Sequence, residues 1–279
     1  MRNELLEKYE KLKDIISGFN SAIVAYSGGL DSAFLLYAVV DTLGAENVSA
    51  VTADSPSYPR SELEKAQEFA WSLGLGERHR IIKTEELDDP NYAKNPVDRC
   101  FFCKQELYGK LSDPSLFDGH DVIFDGFNAD DVGDFRPGRK AAEKYNVRSP
   151  LFEAGLGKAD LRELASHFGL EVWDKPQMAC LASRIPYGSP VTKEKLAQVE
   201  KAEEYLRSLG FMQLRVRHHD RLARIELPLA DIKKVYNQEL QRKIADEFRK
   251  LGFVWVTLDL AGFRSGSMNE AIKRSDEDV

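Results

Sequence analysis

Three cysteines in 279 residues are too few, and odd in number, for a disulfide framework, so the thiols are expected to be reduced or to hold something. Long apolar runs are missing as well, and no stretch is suited to crossing a bilayer. The opening Met1-Arg-Asn-Glu-Leu-Leu-Glu-Lys8 has no secretory apolar region. It places Leu5, Leu6, Tyr9, Leu12, Ile15 and Ile16 on one helical face, and the expected compartment is the cytosol. Positive charge is in deficit: 39 Lys and Arg stand against 46 Asp and Glu, a net charge of −7. That balance lacks the basic footprint of a dedicated nucleic-acid binder. No G-x-x-x-x-G-K-[ST] run occurs, which excludes a Walker A loop. No internal repeat or low-complexity tract is present. What remains is 43% hydrophobic and 30% charged, a soluble globular composition with length for one large domain or two smaller ones.

Through about residue 170 the chain alternates strand-like and helix-like segments. Strands are expected at Ala22–Tyr26, Val48–Ala53, His79–Lys83 and Asp121–Asp125, with helices at 33–40, 61–73, 103–111 and 158–168. This alternation predicts a parallel sheet with helices on both faces, an α/β fold. Ligands of such sheets bind beyond the C-terminal strand ends, where the loops after Tyr26, Ala53 and Asp125 meet. The Pro-, Gly- and Ser-rich stretch 176–190 reads as a junction. Beyond it come a helix over 194–209 stopped by Gly210, a hairpin of 214–217 with 222–227 around His219-Asp220, a long helix over 230–251 and a closing strand over 253–260. The expected division is residues 1–185 and a small α+β domain over 186–279.

The run Ser27-Gly-Gly-Leu-Asp-Ser32 lies between the apolar strand Ala22–Tyr26 and the apolar helix that follows. A Gly-rich turn there aims backbone N–H groups at one spot, and the helix N-terminus adds partial positive charge, so the turn suits phosphate. Gly28 and Gly29 allow close backbone approach. The bland alternative is a strand–helix turn with Asp31 or Ser32 as cap. The hexapeptide resembles the pyrophosphate (PP) loop of ATP pyrophosphatases, which cleave ATP between the α and β phosphates. That resemblance implies a Mg²⁺ role for Asp31, and nucleotide contacts from Ser27, Gly28, Gly29, Ser32 and Ala53.

Arg99-Cys-Phe-Phe-Cys-Lys104 carries a C-x-x-C pair, Cys100 and Cys103. Such a pair can join a metal or cluster site, or act as a redox couple. Zinc would need a histidine or carboxylate among its ligands, and none of His79, His120, His167, His218 and His219 stands at ligand spacing. Three cysteines suit a [4Fe–4S] cluster with one open iron. Unrelated buried thiols are the alternative.

Cys180 lies within Lys175-Pro-Gln-Met-Ala-Cys-Leu-Ala-Ser-Arg-Ile-Pro-Tyr-Gly188. With SGGLDS, RCFFCK (99–104), DGFNADD (125–131), DFRPGRKAA (134–142), SRIPYG (183–188), LRVRHHD (214–220), ARIEL (223–227) and LDLAGFRSGSMN (258–269), the chain resembles, nearly end to end, the LarE family of ATP-dependent sulfur transferases of nickel-pincer nucleotide synthesis. The resemblance implies an enzyme that adenylates the carboxylates of a pyridinium biscarboxylic acid mononucleotide and converts them to thiocarboxylates. It implies ATP, Mg²⁺ and a homo-oligomer. Some members sacrifice one cysteine before SRxPYG; others hold a [4Fe–4S] cluster with three cysteines and carry sulfide on its open iron. Cysteine at 100, 103 and 180 favours the cluster branch, and Cys180 is one residue out of step with the sacrificial position counted from Arg184. Cys180 as a single-turnover donor is the first alternative. A transfer-RNA thiolase and a non-catalytic zinc- and ATP-binding subunit are the others.

Further candidates are Lys104, beside the second cysteine, for a phosphate or the substrate carboxylate with a solvated helix lysine as the alternative, and Asn128, Asp130 and Asp131 at a strand end, where ligands collect and one of the acids would share the Mg²⁺. An Asx-type turn is the alternative for these acids. Arg136 and Arg139 could meet an anion or lie on an ordinary charged surface. In the hairpin, Arg215 and Arg217 are expected to face outward, opposite Leu214 and Val216, where the guanidinium fork matches a phosphate. Arg184 and Arg264 are similar to family arginines that serve the substrate phosphate or subunit contacts.

Overall fold

A computed structural model describes residues 2–117, 119–132, 137–176 and 179–264. The chain divides into two compact units: Met1–Tyr92 with Asp98–Met178, and Ala93–Val97 with Ala179–Val279. The division falls just before Cys180 rather than after Ile185, and a short piece of the earlier chain, Ala93–Val97, joins the second unit. Asn95 gives the reason: fully buried, it donates from Nδ2 to the carbonyls of Ile185, Pro186 and Ser189 at 3.2, 2.8 and 2.9 Å.

The first unit is built on a parallel sheet of β1 (Ala22–Ala25), β2 (Val48–Asp54), β3 (His79–Lys83) and β4 (Val122–Phe124), in the order β3-β2-β1-β4. Strand alternation sends Ala22 and Val24 to one face and Ile23 and Ala25 to the other. Ala22 and Val24 pack with α1 (Asn3–Ser17), α2 (Leu30–Leu43) and the helix Lys158–His167, through Leu12, Ile16, Phe34 and Leu164. Ile23, Ala25 and Val51 pack with the helix Arg99–Leu111 and the short helix Gly138–Lys144, through Leu107, Tyr108, Leu111 and Ala141. Both sheet faces are therefore covered, as near-continuous apolar strands require. The helix expected from Cys103 begins at Arg99, with Phe101 N–H on Asp98 O at 2.8 Å, so both cysteines of the C-x-x-C pair lie on it.

The second unit has a three-stranded sheet, β5 (Arg215–His219), β6 (Leu222–Glu226) and β7 (Trp255–Leu258), with β5 and β6 antiparallel and β7 parallel to β6. The helices Lys193–Ser208 and Gln238–Lys250 supply Leu206, Ile244 and Phe248 to its core. The single long helix expected over 230–251 is instead a short turn of helix, Leu229–Ile232, a 3-10 turn, Lys233–Tyr236, and the helix Gln238–Lys250. Asn237 makes the break by capping: its side chain accepts from Leu240 N–H at 3.0 Å. Among the described residues, no helix is long and apolar enough to cross a membrane.

Candidate active site

The C-terminal end of β1 turns through Tyr26 to Gly29 into α2. Gly28 has φ +66°, the left-handed region that favours glycine. A Cβ there would also meet Ala66 Cβ at 3.1 Å and the Tyr58 hydroxyl at 3.2 Å. Ser32 ties the turn together: its Oγ accepts from Ser27 N–H at 3.1 Å, lies 3.0 Å from Ser27 Oγ and donates to Gly29 O at 3.2 Å. Two side chains from elsewhere hold the loop carbonyls. Tyr58 Oη donates to Ser27 O at 2.8 Å, and Lys175 Nζ donates to Gly28 O at 2.8 Å. No described residue accepts from the N–H groups of Gly28 and Gly29. At the N-terminus of a 14-residue helix, such amides form an anion cradle.

Asp31 occupies the first turn of α2, and its Oδ2 accepts from Asn128 Nδ2 at 3.0 Å. Asn128 is fully buried and arrives from the end of β4. Gly126 allows that approach, since a Cβ on it would lie 3.0 Å from Ser32 N. The loop after β4 is fixed by a capping box, in which Asn128 Oδ1 accepts from Asp130 N–H at 3.0 Å and Asp131 Oδ2 from Asn128 N–H at 3.4 Å. Asp131 also pairs with Lys158 at 3.3 Å, and Asp130 accepts from Lys158 N–H at 2.6 Å. Asp131 is thus engaged in the turn and both acids with Lys158, while Asp31 stands in the first turn of α2 beside the cradle. Asp125, just upstream, accepts from Tyr108 Oη at 2.9 Å and Ser149 Oγ at 2.7 Å, and Ser149 Oγ in turn accepts from Arg139 at 2.8 Å. Arg139 therefore serves the scaffold beneath the site. Arg136 lies outside the described residues.

Ser27, Gly28, Gly29, Asp31, Ser32 and Asn128 are thus brought together. Ala53 stands near the C-terminal end of neighbouring β2, half-buried and paired with Ile82. Cys100 and Cys103 sit one turn apart at the start of the helix Arg99–Leu111, exposed and half-buried, and no disulfide joins the three cysteines. Lys104 follows them with its Nζ 5.3 Å from the Tyr108 ring centroid. Cys180, exposed, belongs to the second unit, where its carbonyl accepts from Arg184 at 3.0 Å. Among the described residues, no group of three or more His, Cys, Asp or Glu side chains is placed to hold a metal ion.

In the second unit the expectation of outward-facing arginines is corrected. Arg217 is only 4% exposed and forks onto Glu226 at 2.9 and 2.8 Å, with a third bond to Ser183 O at 2.8 Å. Arg184, fully buried, forks onto Glu203 at 2.8 and 3.0 Å. Burial pushes the Glu203 carboxyl up, but the charges of Arg184 and Arg207 outweigh it and hold it below its usual value. Alternation correctly put Arg215 and Arg217 on the same face; what strand spacing could not say is that this face is covered. Arg215 is half-buried over the Phe263 ring, 4.9 Å from its centroid. Burial, then the charges of Arg184 and Arg217, lower its pKa to about 10. Arg264, half-buried, is the last described residue.

Tyr58, Glu62 and Lys175 escaped the sequence reading, and no local pattern marks them. Tyr58, from the segment after β2, and Lys175, from a turn near the end of the unit, reach the loop, and Glu62 of the helix Arg60–Ser72 reaches Lys175.

The model of the NAD synthase family matches residues 5–89, which include the whole glycine loop. An NH₃-dependent NAD⁺ synthetase from Methanococcoides burtonii is 44% identical over 59 residues, 21% of this chain and 22% of that protein. Two relatives match nearly throughout. An uncharacterized protein of Synechocystis is 42% identical over 270 residues, 97% of this chain and 100% of that protein. The pyridinium-3,5-bisthiocarboxylic acid mononucleotide synthase of Lactiplantibacillus plantarum is 39% identical over 273 residues, 97% of each chain. The chain belongs to the LarE family. It is accordingly an enzyme, and its first unit is an ATP-using PP-loop domain of the kind shared with the NAD synthetases.

Proposed function

We propose that this LarE-family enzyme inserts sulfur into the carboxylates of a pyridinium biscarboxylic acid mononucleotide, using ATP. The observation that carries this reading is the relationship to the Lactiplantibacillus synthase over 97% of both chains. A carboxylate is a poor electrophile, because attack must expel oxide. Attack of a substrate carboxylate oxygen on the α-phosphorus of ATP gives an acyl-adenylate and releases pyrophosphate. Sulfur then attacks the acyl carbon and AMP departs with the oxygen.

The chain's own residues support the first half. The amides of Gly28 and Gly29 and the N-terminus of α2 stabilise the departing pyrophosphate. Asp31, oriented by Asn128, fits Mg²⁺, which takes one or two carboxylates and is otherwise held by phosphates and water. Bound there, the ion would neutralise phosphate charge. We assign Lys104, beside Cys103, to a phosphate or a substrate carboxylate. In the second unit we assign the mononucleotide phosphate to Arg215, a half-buried guanidinium whose pKa is lowered first by burial and then by the charges of Arg184 and Arg217, which a bound anion would offset. Arg184 and Arg217 shape its surroundings, and Arg264 is a second candidate.

For sulfur, Cys100 and Cys103 form a soft donor pair on an accessible helix start, which suits an iron–sulfur cluster. With Cys180 as third ligand, a [4Fe–4S] cluster would supply an open iron position for sulfide. The exposure of Cys180 also favours a second reading, in which its thiolate displaces AMP from the acyl carbon and loss of the Cα proton with cleavage of its Cβ–S bond then releases the thiocarboxylate and leaves dehydroalanine, once per chain.

Mass spectrometry of the mononucleotide after incubation with ATP, Mg²⁺ and sulfide tests the reaction. Replacement of carboxylate oxygen by sulfur is the expected result, and an unmodified substrate overturns it. Iron and acid-labile sulfide on anaerobic protein decide the donor: about four of each supports the cluster. No iron with a mass loss at Cys180 after turnover supports the sacrificial route.

A further inference from the structure

Glycine at 28 and 29 brings the loop backbone close to a ligand, but it also leaves the peptides free to turn over, since no Cβ resists rotation. A flipped peptide would aim a carbonyl oxygen at the pyrophosphate. Something outside the loop must hold the amides inward. In a trans peptide the C=O and the following N–H point in opposite directions, and no cis peptide is present among the described residues. Anchoring Ser27 O therefore fixes the Gly28 N–H, and anchoring Gly28 O fixes the Gly29 N–H.

Both anchors exist. Tyr58 Oη holds Ser27 O and Lys175 Nζ holds Gly28 O, each at 2.8 Å. Lys175 is itself fixed by Glu62, 2.6 Å from its Nζ, in a pair whose side chains are only 15% and 8% exposed. Burial and then the Glu62 charge push the Tyr58 phenol above its usual value, which keeps it protonated as a donor. The amides of Gly28 and Gly29 face away from these carbonyl anchors.

We propose that Tyr58 and Lys175, with Glu62 holding Lys175, are positioning residues that lock the two glycine peptides with their N–H groups turned toward the pyrophosphate. The inference rests on the ATP-cleaving reading of the loop. In this account Lys175 does not contact phosphate; its charge is matched by Glu62, and its work is done through Gly28 O. A cradle set before ATP arrives needs no reorganisation when the pyrophosphate leaves.

The test compares Tyr58→Phe and Lys175→Met with wild type, each checked for an unchanged melting temperature. Tyr58→Phe removes one hydroxyl, so it guards against misfolding of the lysine variant. The probes are Mg²⁺-ATP, inorganic pyrophosphate and adenosine, titrated by calorimetry. Amide ¹H–¹⁵N signals of Gly28 and Gly29 are recorded without ligand. The expected result is about a tenfold loss of affinity for ATP and pyrophosphate in each variant, with adenosine binding unchanged. The Gly28 signal should shift or broaden in Tyr58→Phe, and the Gly29 signal in Lys175→Met. Unchanged amide signals overturn the proposal, even if Lys175→Met weakens ATP binding, because the lysine would then be a phosphate ligand. Unchanged affinities overturn it as well. Wild-type protein that binds neither ATP nor pyrophosphate refutes the proposed function, while the amide signals still decide whether the lock exists.

Discussion

The two units use charge and hydrogen bonding in opposite ways. In the first, the glycine loop leaves backbone amides unclaimed at the head of α2, and side chains such as Tyr58 and Lys175 hold the carbonyls aside. In the second, the conspicuous cations Arg184 and Arg217 are matched inside the protein by Glu203 and Glu226. A short motif built from backbone groups keeps its meaning wherever the strand and helix around it form. A run of arginines does not, because its meaning depends on what packs over it.

That contrast can be broken or sharpened by substitution. The largest effect is expected for Arg217→Ala, which removes the two-pronged partner of the buried Glu226 carboxylate, leaves it only the part-exposed Arg224 at 3.3 Å, and should destabilise the second unit by about 3 kcal/mol. Denaturant titration measures it. A loss no larger than that of an exposed arginine would return Arg217 to the surface face. Asp31→Ala acts on the other unit and on activity instead. AMP formation should fall about a thousandfold if Asp31 holds the proposed Mg²⁺, with the melting temperature unchanged. AMP formation at the wild-type rate removes Asp31 from the reaction.

His218 gives a pH test confined to the second unit. The ring is 2% exposed, with Nε2 2.9 Å from Gln198 Oε1. Burial first, then the charge of Lys195, lowers its pKa from 6.5 to about 4. Because the folded value lies below the unfolded one, the fold keeps the neutral ring. The stabilisation is complete above pH 6.5, is lost as pH falls, and is gone near pH 4. The shift corresponds to about 3 kcal/mol. His218→Gln should remove that slope between pH 6.5 and 4, as followed by urea midpoints; an unaltered slope assigns the dependence to another group.

The smallest effect is expected for Asn128→Ala, which frees the Asp31 carboxylate from its 3.0 Å hydrogen bond and removes a turn cap. About 1 kcal/mol of stability and a several-fold rise in the Mg²⁺ requirement should follow, read from AMP formation against Mg²⁺ concentration. No change in that requirement would leave Asn128 a turn residue alone.

Much of the first unit is legible in the sequence because its signals are local. Strand-like runs of five or six residues became β1 to β4, the glycine hexapeptide lies where the strand meets α2, and the Asn128 turn follows β4. The C-x-x-C helix starts at Arg99 rather than Cys103, and Cys100, Phe101 and Phe102 carry no capping pattern that announces it. The long helix expected over 230–251 ignored Asn237, whose cap splits it. Lys175 lies far along the chain from Gly28, and nothing near it in sequence says that its amine meets a loop carbonyl. Arg217 faces the side that alternation gives it and meets Glu226 across the expected hairpin, but its bond to Ser183 O comes from a segment that only the tertiary fold brings over that side.

The most direct test of the central claim is the fate of the nucleotide. Phosphorus NMR on protein mixed with ATP, Mg²⁺ and the pyridinium mononucleotide should show AMP and pyrophosphate, formed only when the mononucleotide is present. ADP and phosphate, or AMP released equally without the mononucleotide, would contradict carboxylate adenylation as the step this loop serves.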